Sequence, residues 1–123
     1  MKVAEARIYV VDTGSYRPIV VELRTDEGIT GAGEAAMGFG IGTRSCAEMT
    51  TELAGAFVVG RDAFRIAEIW NDCFYHTFWG KGGGTVIWAA AGALEMALWD
   101  IKGKALGVPV YEMLGGKQRD EIQ

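Results

Sequence analysis

The segment from Thr85 to Leu106 constrains this chain more than any other. Its large apolar residues Val86, Ile87, Trp88, Leu94, Met96, Leu98, Trp99 and Ile101 cover most of the circumference of a helix rather than one stripe. Between them stand Ala89, Ala90, Ala91, Gly92, Ala93, Ala97 and Gly103, which let neighbouring elements approach closely. A helix that is apolar all round is buried in its assembly. Gly107 and Pro109 close it in the order expected of a helix C-terminus. Asp100 and Lys104 lie four apart with the acid first, which predicts an exposed ion pair. Everything else in the chain must help cover this helix.

Three strands precede it. Residues 2–12 are rich in β-branched and aromatic side chains, with Val3, Ile8, Tyr9, Val10 and Val11. Turn chemistry over Asp12–Pro18 breaks that run. From Ile19 to Thr25, Ile19, Val21 and Leu23 alternate against Val20, Glu22 and Arg24. Asp26-Glu27-Gly28 is a short hairpin turn in which Gly28 supplies φ > 0, and Ile29 to Ala36 returns as the third strand. Short turns make the three an antiparallel meander. Thr43 is placed to cap a helix through about Val58, stopped by Gly60. Asp62 is placed to cap a second through about Phe78, with Ile66, Ile69, Trp70, Cys73 and Phe74 at helical spacing. The fold class is α+β, a three-stranded antiparallel meander followed by a three-helix bundle. Three strands and two helices are a thin cover for the long apolar helix, so a larger body is expected to dock against it.

Length and charge narrow the function classes. At 123 residues the chain fits one domain. Half of it is hydrophobic, only 23% is charged, and the net charge is −4 with both signs interspersed. No Lys/Arg cluster marks a nucleic-acid footprint. No window is long and apolar enough for a membrane span. The charged, alternating N-terminus is not a signal peptide, so a cytoplasmic location is the default expectation. Cys46 and Cys73 are too few and too far apart for a disulfide scaffold and are expected to be free and buried. Gly80-Lys81-Gly82-Gly83-Gly84-Thr85 resembles a phosphate loop but lacks Ser/Thr after the lysine and a preceding strand. Gly38-Phe39-Gly40-Ile41-Gly42 lacks the third glycine spacing of a dinucleotide site. His76 has no Cys/His/acid set around it to make a metal site. Glu34, Glu95 and Asp100 are expected to be structural anchors.

Two blocks carry a family resemblance. Ala90-Ala91-Gly92-Ala93-Leu94-Glu95-Met96-Ala97-Leu98-Trp99-Asp100-Ile101-Lys102-Gly103-Lys104-Ala105-Leu106-Gly107-Val108-Pro109, running on to Leu114-Gly115-Gly116, resembles the capping-domain signature of the mandelate racemase/muconate lactonizing group of the enolase superfamily. Met113 stands where leucine is usual. Val20 to Glu34 resembles the second and third strands of that domain. Phe78-Trp79-Gly80-Lys81-Gly82-Gly83-Gly84 is followed in relatives by proline and here by Thr85, which caps a helix equally well.

The resemblance implies an N-terminal capping domain over residues 1–123, partnered by its own C-terminal (β/α) barrel, expected after 123 and absent from this chain. In such enzymes the barrel carries Mg²⁺ on three acidic ligands and a Lys or His base. Together they remove the proton α to a carboxylate. No magnesium ligand or catalytic residue is expected on this chain. The acid-sugar dehydratase branch fits best, with racemases and cycloisomerases sharing the cap. The expected partners are therefore a small carboxylate or acid-sugar substrate and further copies in a homo-oligomer, with neither nucleic acid nor membrane.

Two family loops close over substrate. The first corresponds to Thr13–Pro18, where Tyr16 and Arg17 have reach and arginine suits a carboxylate or polyol. The second corresponds to Met37–Thr43, where Met37, Phe39 and Ile41 would exclude water. The bland readings are a solvent-facing turn for the first loop and packing on its own helix for the second. The rival to an enzyme part is a standalone, non-enzymatic domain or inactive fragment that self-associates around Trp79, Trp88 and Trp99.

Overall fold

A computed structural model describes residues 1–121. The meander is present as β1 (Val3–Val10), β2 (Ile19–Thr25) and β3 (Thr30–Ala35), antiparallel in the order β1-β2-β3. The register pairs Ile8 with Val21 and Val21 with Gly33. The inner face therefore collects Ile19, Val21 and Leu23 of β2 with Gly31, Gly33 and Ala35 of β3, all but Gly33 fully buried. The outer face carries charge, including Arg7 of β1 opposite Glu22 of β2 at 3.8 Å. Gly28 holds the hairpin turn at φ 85°.

The helices are α1 (Thr43–Leu53), continued by one wide π-helical turn over Ala54–Val58, then α2 (Ile66–Tyr75), α3 (Thr85–Leu106) and α4 (Val110–Met113). α3 has the predicted bounds. At its end Gly107 adopts φ 66°, its N–H donates to the Lys104 carbonyl, and Val108 N–H donates to the Gly103 carbonyl. That pair of bonds is the Schellman closure, which satisfies two otherwise orphaned carbonyls. The short α4, opened by Pro109, was not anticipated.

Three helix starts depart from expectation. Thr43 and Thr85 do not cap. Each is the first helical residue, after Gly42 and Gly84 in the N-cap position without a side-chain cap bond. The Thr43 side chain is buried and its hydroxyl faces the Gly40 carbonyl at 3.4 Å. α2 begins at Ile66 rather than at Asp62. The reason is tertiary. Residues 60–63 lie along the start of β1, with Val3 N–H donating to Arg61 O, Gly60 N–H to Val3 O and Ala63 N–H to Met1 O. Backbone recruited to a sheet edge cannot also open a helix, so Asp62 instead accepts the Phe64 N–H at 3.1 Å. The other end of α2 stops short of Phe78, at Tyr75. The Thr77 hydroxyl donates to Cys73 O at 2.7 Å and accepts the Gly80 N–H at 2.9 Å, turning the chain back.

α3 lies on β3 and is flanked by α1 and α2. Its buried residues Ile87, Ala90, Ala91, Ala93, Leu94, Ala97, Leu98, Ile101 and Gly103 form the centre of the core. The cover that the sequence makes look thin suffices for most of α3. Trp88 is half-buried, with ring centroids 5.3 Å from Trp70 and 5.7 Å from Phe74, which binds α2 to α3. Trp99 is half-buried, donating toward Glu95 at 3.3 Å and lying under the Lys102 ammonium. Of the three tryptophans expected to mark a self-association surface, only Trp79 stands out in solvent, beside Phe78. Cys46 and Cys73 are free and buried, and burial pushes the Cys73 thiol up to about 11. No described helix is long and apolar enough to cross a membrane.

Asp100 and Lys104 do more than pair on the surface. Asp100 accepts the Ala32 N–H at 2.9 Å and the Lys104 ammonium at 2.8 Å, while Lys104 donates to the Thr30 carbonyl at 2.9 Å. Together they occupy the free edge of β3, whose unpaired groups would otherwise invite another strand. Asp100→Ala should cost about 1.5 kcal/mol, the worth of a hydrogen bond to a charged acceptor. Asp100→Asn, which keeps an acceptor, should cost less. Equal urea midpoints for wild type and Asp100→Ala would show the edge bond to be energetically idle.

Candidate functional site

The two loops named from the sequence meet at one end of the sheet. The first is organised internally. Asp12 accepts the Gly14 N–H at 2.9 Å, and the Tyr16 carbonyl receives both the Thr13 N–H and the Thr13 hydroxyl. It is then tied to the second loop by the Arg17 N–H, which donates to Gly38 O at 2.8 Å.

Tyr16 is the hinge-pin of the pair. Its hydroxyl donates to the Glu34 carboxylate on β3. Its ring packs against Phe39 with centroids 4.8 Å apart. The same ring covers Gly38 so closely that a Cβ there would lie 2.3 Å from the tyrosine Cε2. The Glu34 hydrogen bond, aided by desolvation, raises the Tyr16 phenol above its ordinary pKa and keeps it a donor. Glu34 thus anchors the first loop.

The apolar residues of the second loop divide. Met37 is half-buried against the core, its Cε 3.2 Å from where a Cβ on Gly42 would sit. Phe39 is 71% exposed and Ile41 fully so. Arg17 is exposed, with Nε 3.6 Å from Asp12 Oδ2. Between the loops and the first turn of α1 opens a polar cleft of about 360 Å³ lined by Val10, Asp12, Arg17, Thr43 and Arg44. Arg44 was not singled out from the sequence, where it reads as an ordinary helix residue. Only the fold sets it beside Arg17. A separate apolar hollow of about 320 Å³ lies beside Met49, Trp79 and the start of α3.

Among the described residues no three His, Cys, Asp or Glu side chains come together to hold a metal ion. His76 makes a local pair with Asp72 at 3.1 Å, in which Asp72 also meets Arg61 at 3.0 Å. Lys81 of the glycine loop lies over the Tyr75 ring.

A three-stranded meander, a long buried helix and two interlocked loops at one sheet end define a class of small α+β domain. The chain belongs to the mandelate racemase/muconate lactonizing enzyme family, whose N-terminal domain matches residues 5–115. It is 45% identical over 107 residues to the D-galactonate dehydratase of Xanthomonas campestris pv. campestris (strain B100), a match covering 87% of this chain and 27% of that protein. The crystal structure of a member of the enolase superfamily from Salmonella Typhimurium superposes with TM-score 0.90 at 44% identity, covering 96% of this chain and 30% of that one. A Pantoea ananatis enolase with bound D-gluconate and Mg superposes with TM-score 0.86 at 35% identity, over 98% of this chain and 28% of that one. The chain thus spans less than a third of the length of the relatives it matches.

Proposed function

We propose that residues 1–123 are the capping domain of an acid-sugar dehydratase and that the loops over 13–18 and 37–43 are its substrate lid. The observation that carries this reading is the interlocking of the two loops through Tyr16, Gly38, Phe39 and Glu34. A turn with no role has no need to be clamped both to a strand and to a second loop. In this reading Phe39 and Ile41 are the apolar tips that shut water out. Met37 holds the loop to the core, Arg17 faces the substrate's polar end, and Tyr16 keeps the lid in register. Excluding water strengthens every charge interaction inside the closed site.

Among the described residues no three His, Cys, Asp or Glu side chains cluster to hold a metal ion, and in this reading the metal and the base belong to a C-terminal barrel. There Mg²⁺ would stabilise the charge that develops when the α proton leaves. The Xanthomonas relative's name and the gluconate- and Mg-bound structure support an acid sugar as substrate. The exposed Phe78 and Trp79 support assembly with further copies, and a cytoplasmic location is part of the same reading.

The test is turnover by the full-length protein of a panel of aldonates and aldarates with Mg²⁺, followed by release of the 2-keto-3-deoxy product. Dehydration of at least one is expected. Failure across the panel would remove the dehydratase reading.

A further inference from the structure

We infer that Phe78 and Trp79, together with the apolar hollow beside them, are the docking face for a second copy of this chain, joined about a two-fold axis. Tyr75, Phe78 and Trp79 are 57%, 87% and 60% exposed, at the end of α2 and just beyond it. They are not a loose tip. The Thr77 hydroxyl bridges Cys73 O and the Gly80 N–H, and the Gly83 N–H donates to Trp79 O at 2.9 Å. A Cβ on Gly80 would lie 2.4 Å from Phe74 O, so the turn is packed tightly onto the end of α2. The Phe78 and Trp79 rings meet edge to face with centroids 4.8 Å apart. Large rings held in water by a packed turn forgo the gain of burial, and apolar surface of this kind marks an interface.

Beside this knob lies the hollow of about 320 Å³, bounded by Met49, Trp79, Val86 and Ile87 with Gly83 and Gly84. No residue lining it is charged. From Thr77 to Gly92 the only charge is Lys81, whose ammonium lies over the Tyr75 ring of its own chain at 5.3 Å. An apolar occupant fits such a face. Knob and hollow belong to one chain, so a two-fold axis presents each copy's knob to the other's hollow, the isologous arrangement of a dimer. At about 150–250 Å² for a whole aromatic side chain, the exposed parts of the three rings supply roughly 300–500 Å² per copy. With both copies and the surfaces facing the rings, the total is roughly 1,200–2,000 Å², the size of a stable interface. The inference deepens the assembly proposed above by naming its surface, and it rests on the lid reading for where the barrel lies. On α1, Arg44 lines the lid cleft and Met49 the hollow. The five residues between these positions set them about 140° apart around the helix. A barrel beneath the lid therefore lies on the other side of α1 and leaves the hollow to a second copy.

The experiment measures the mass of the full-length protein by sedimentation at micromolar concentration, with Phe78→Glu and Phe78→Leu beside the wild type. A dimer, or a multiple of one, is expected for the wild type. Phe78→Glu should at least halve that mass with an unchanged circular dichroism spectrum, since each interface loses two aromatic anchors and the dimer weakens roughly 100-fold or more. Phe78→Leu should keep part of the association. Acrylamide quenching assigned to Trp79 by difference from Trp79→Phe should rise as the assembly comes apart. A monomeric wild type, or equal masses for wild type and Phe78→Glu, overturns the proposal. In that event a shielded Trp79 would show the barrel covering the face, and a quenchable one would show it bare. Mass is read without turnover. Halving in Phe78→Glu with no acid sugar dehydrated would sink the dehydratase reading alone, and turnover with an unmoved mass would sink the docking face alone.

Discussion

Gly33→Ala is expected to destabilise the domain by about 3 kcal/mol or more, at or beyond the upper range for overpacking a filled core. A Cβ on Gly33 would lie 2.0 Å from the Ala93 carbonyl oxygen and 3.1 Å from the Ala97 backbone nitrogen. Its neighbour Gly31 is in the same position, 2.1 Å from the Ala97 carbonyl. These contacts are with helix backbone, which cannot rotate away as a flexible side chain would. Relief requires the whole of α3 to lift from β3, and with it the packing of Leu94, Leu98 and Ile101 behind it. Since a domain of this size is held by roughly 5–15 kcal/mol, such a loss is a large share of the total. The melting temperature should drop by roughly 10–20 °C, scaling from a few degrees per kcal/mol. Gly92→Ala is the control. Gly92 sits in the middle of α3 with nothing within 4 Å of a Cβ, so alanine should stabilise by about 0.5–1 kcal/mol through helix propensity. If Gly33→Ala melts within two or so degrees of wild type, the close approach of β3 and α3 is not what seats the helix.

That contact also shows where sequence reading reaches and where it stops. The small residues of α3 announce that something approaches closely, and Gly107 with Pro109 marks where the helix ends. Both signals are local, and the structure has α3 at the expected bounds. The partner of the small face is not legible. Gly31 and Gly33 read as weak strand residues until the register places them under Ala97 and Ala93. Asp62 illustrates the opposite failure. It carries sound capping chemistry, but residues 60–63 are taken up by the edge of β1, and a long-range backbone pairing outweighs one side-chain cap. The candidate site divides the same way. Its two loops are visible as turn-rich and glycine-rich gaps, and Arg17 as a residue with reach. The lock of Tyr16 on Gly38 and Glu34, and the placing of Arg17 and Arg44 along one cleft, depend on distances that sequence spacing does not carry.

The lid lock supplies the largest expected effect on activity. Gly38→Ala in the full-length enzyme should lower kcat/KM by roughly 100-fold, the scale reported for an ångström-sized misplacement of a positioning element. The new methyl group would fall 2.3 Å from Tyr16 Cε2 and 2.8 Å from its Cδ2, so the ring must leave its place over Gly38. The ring cannot move without straining the Glu34 hydrogen bond or the Phe39 contact, and if Gly38 shifts instead, its carbonyl is pulled from the Arg17 N–H. Whichever yields, the two loops cease to close as one body. Stability should change little by comparison, because the loops lie outside the α3–sheet core. Tyr16→Phe is the graded companion. It deletes the Glu34 bond but keeps the ring over Gly38, so its loss should be smaller than that of Gly38→Ala. Protease cutting between residues 13 and 43 should be faster in Gly38→Ala than in wild type, reporting the loosened loops independently of turnover. Near-wild-type kcat/KM in Gly38→Ala, with the melting temperature held, would mean that the loops act separately and that the interlock is packing without a part in catalysis.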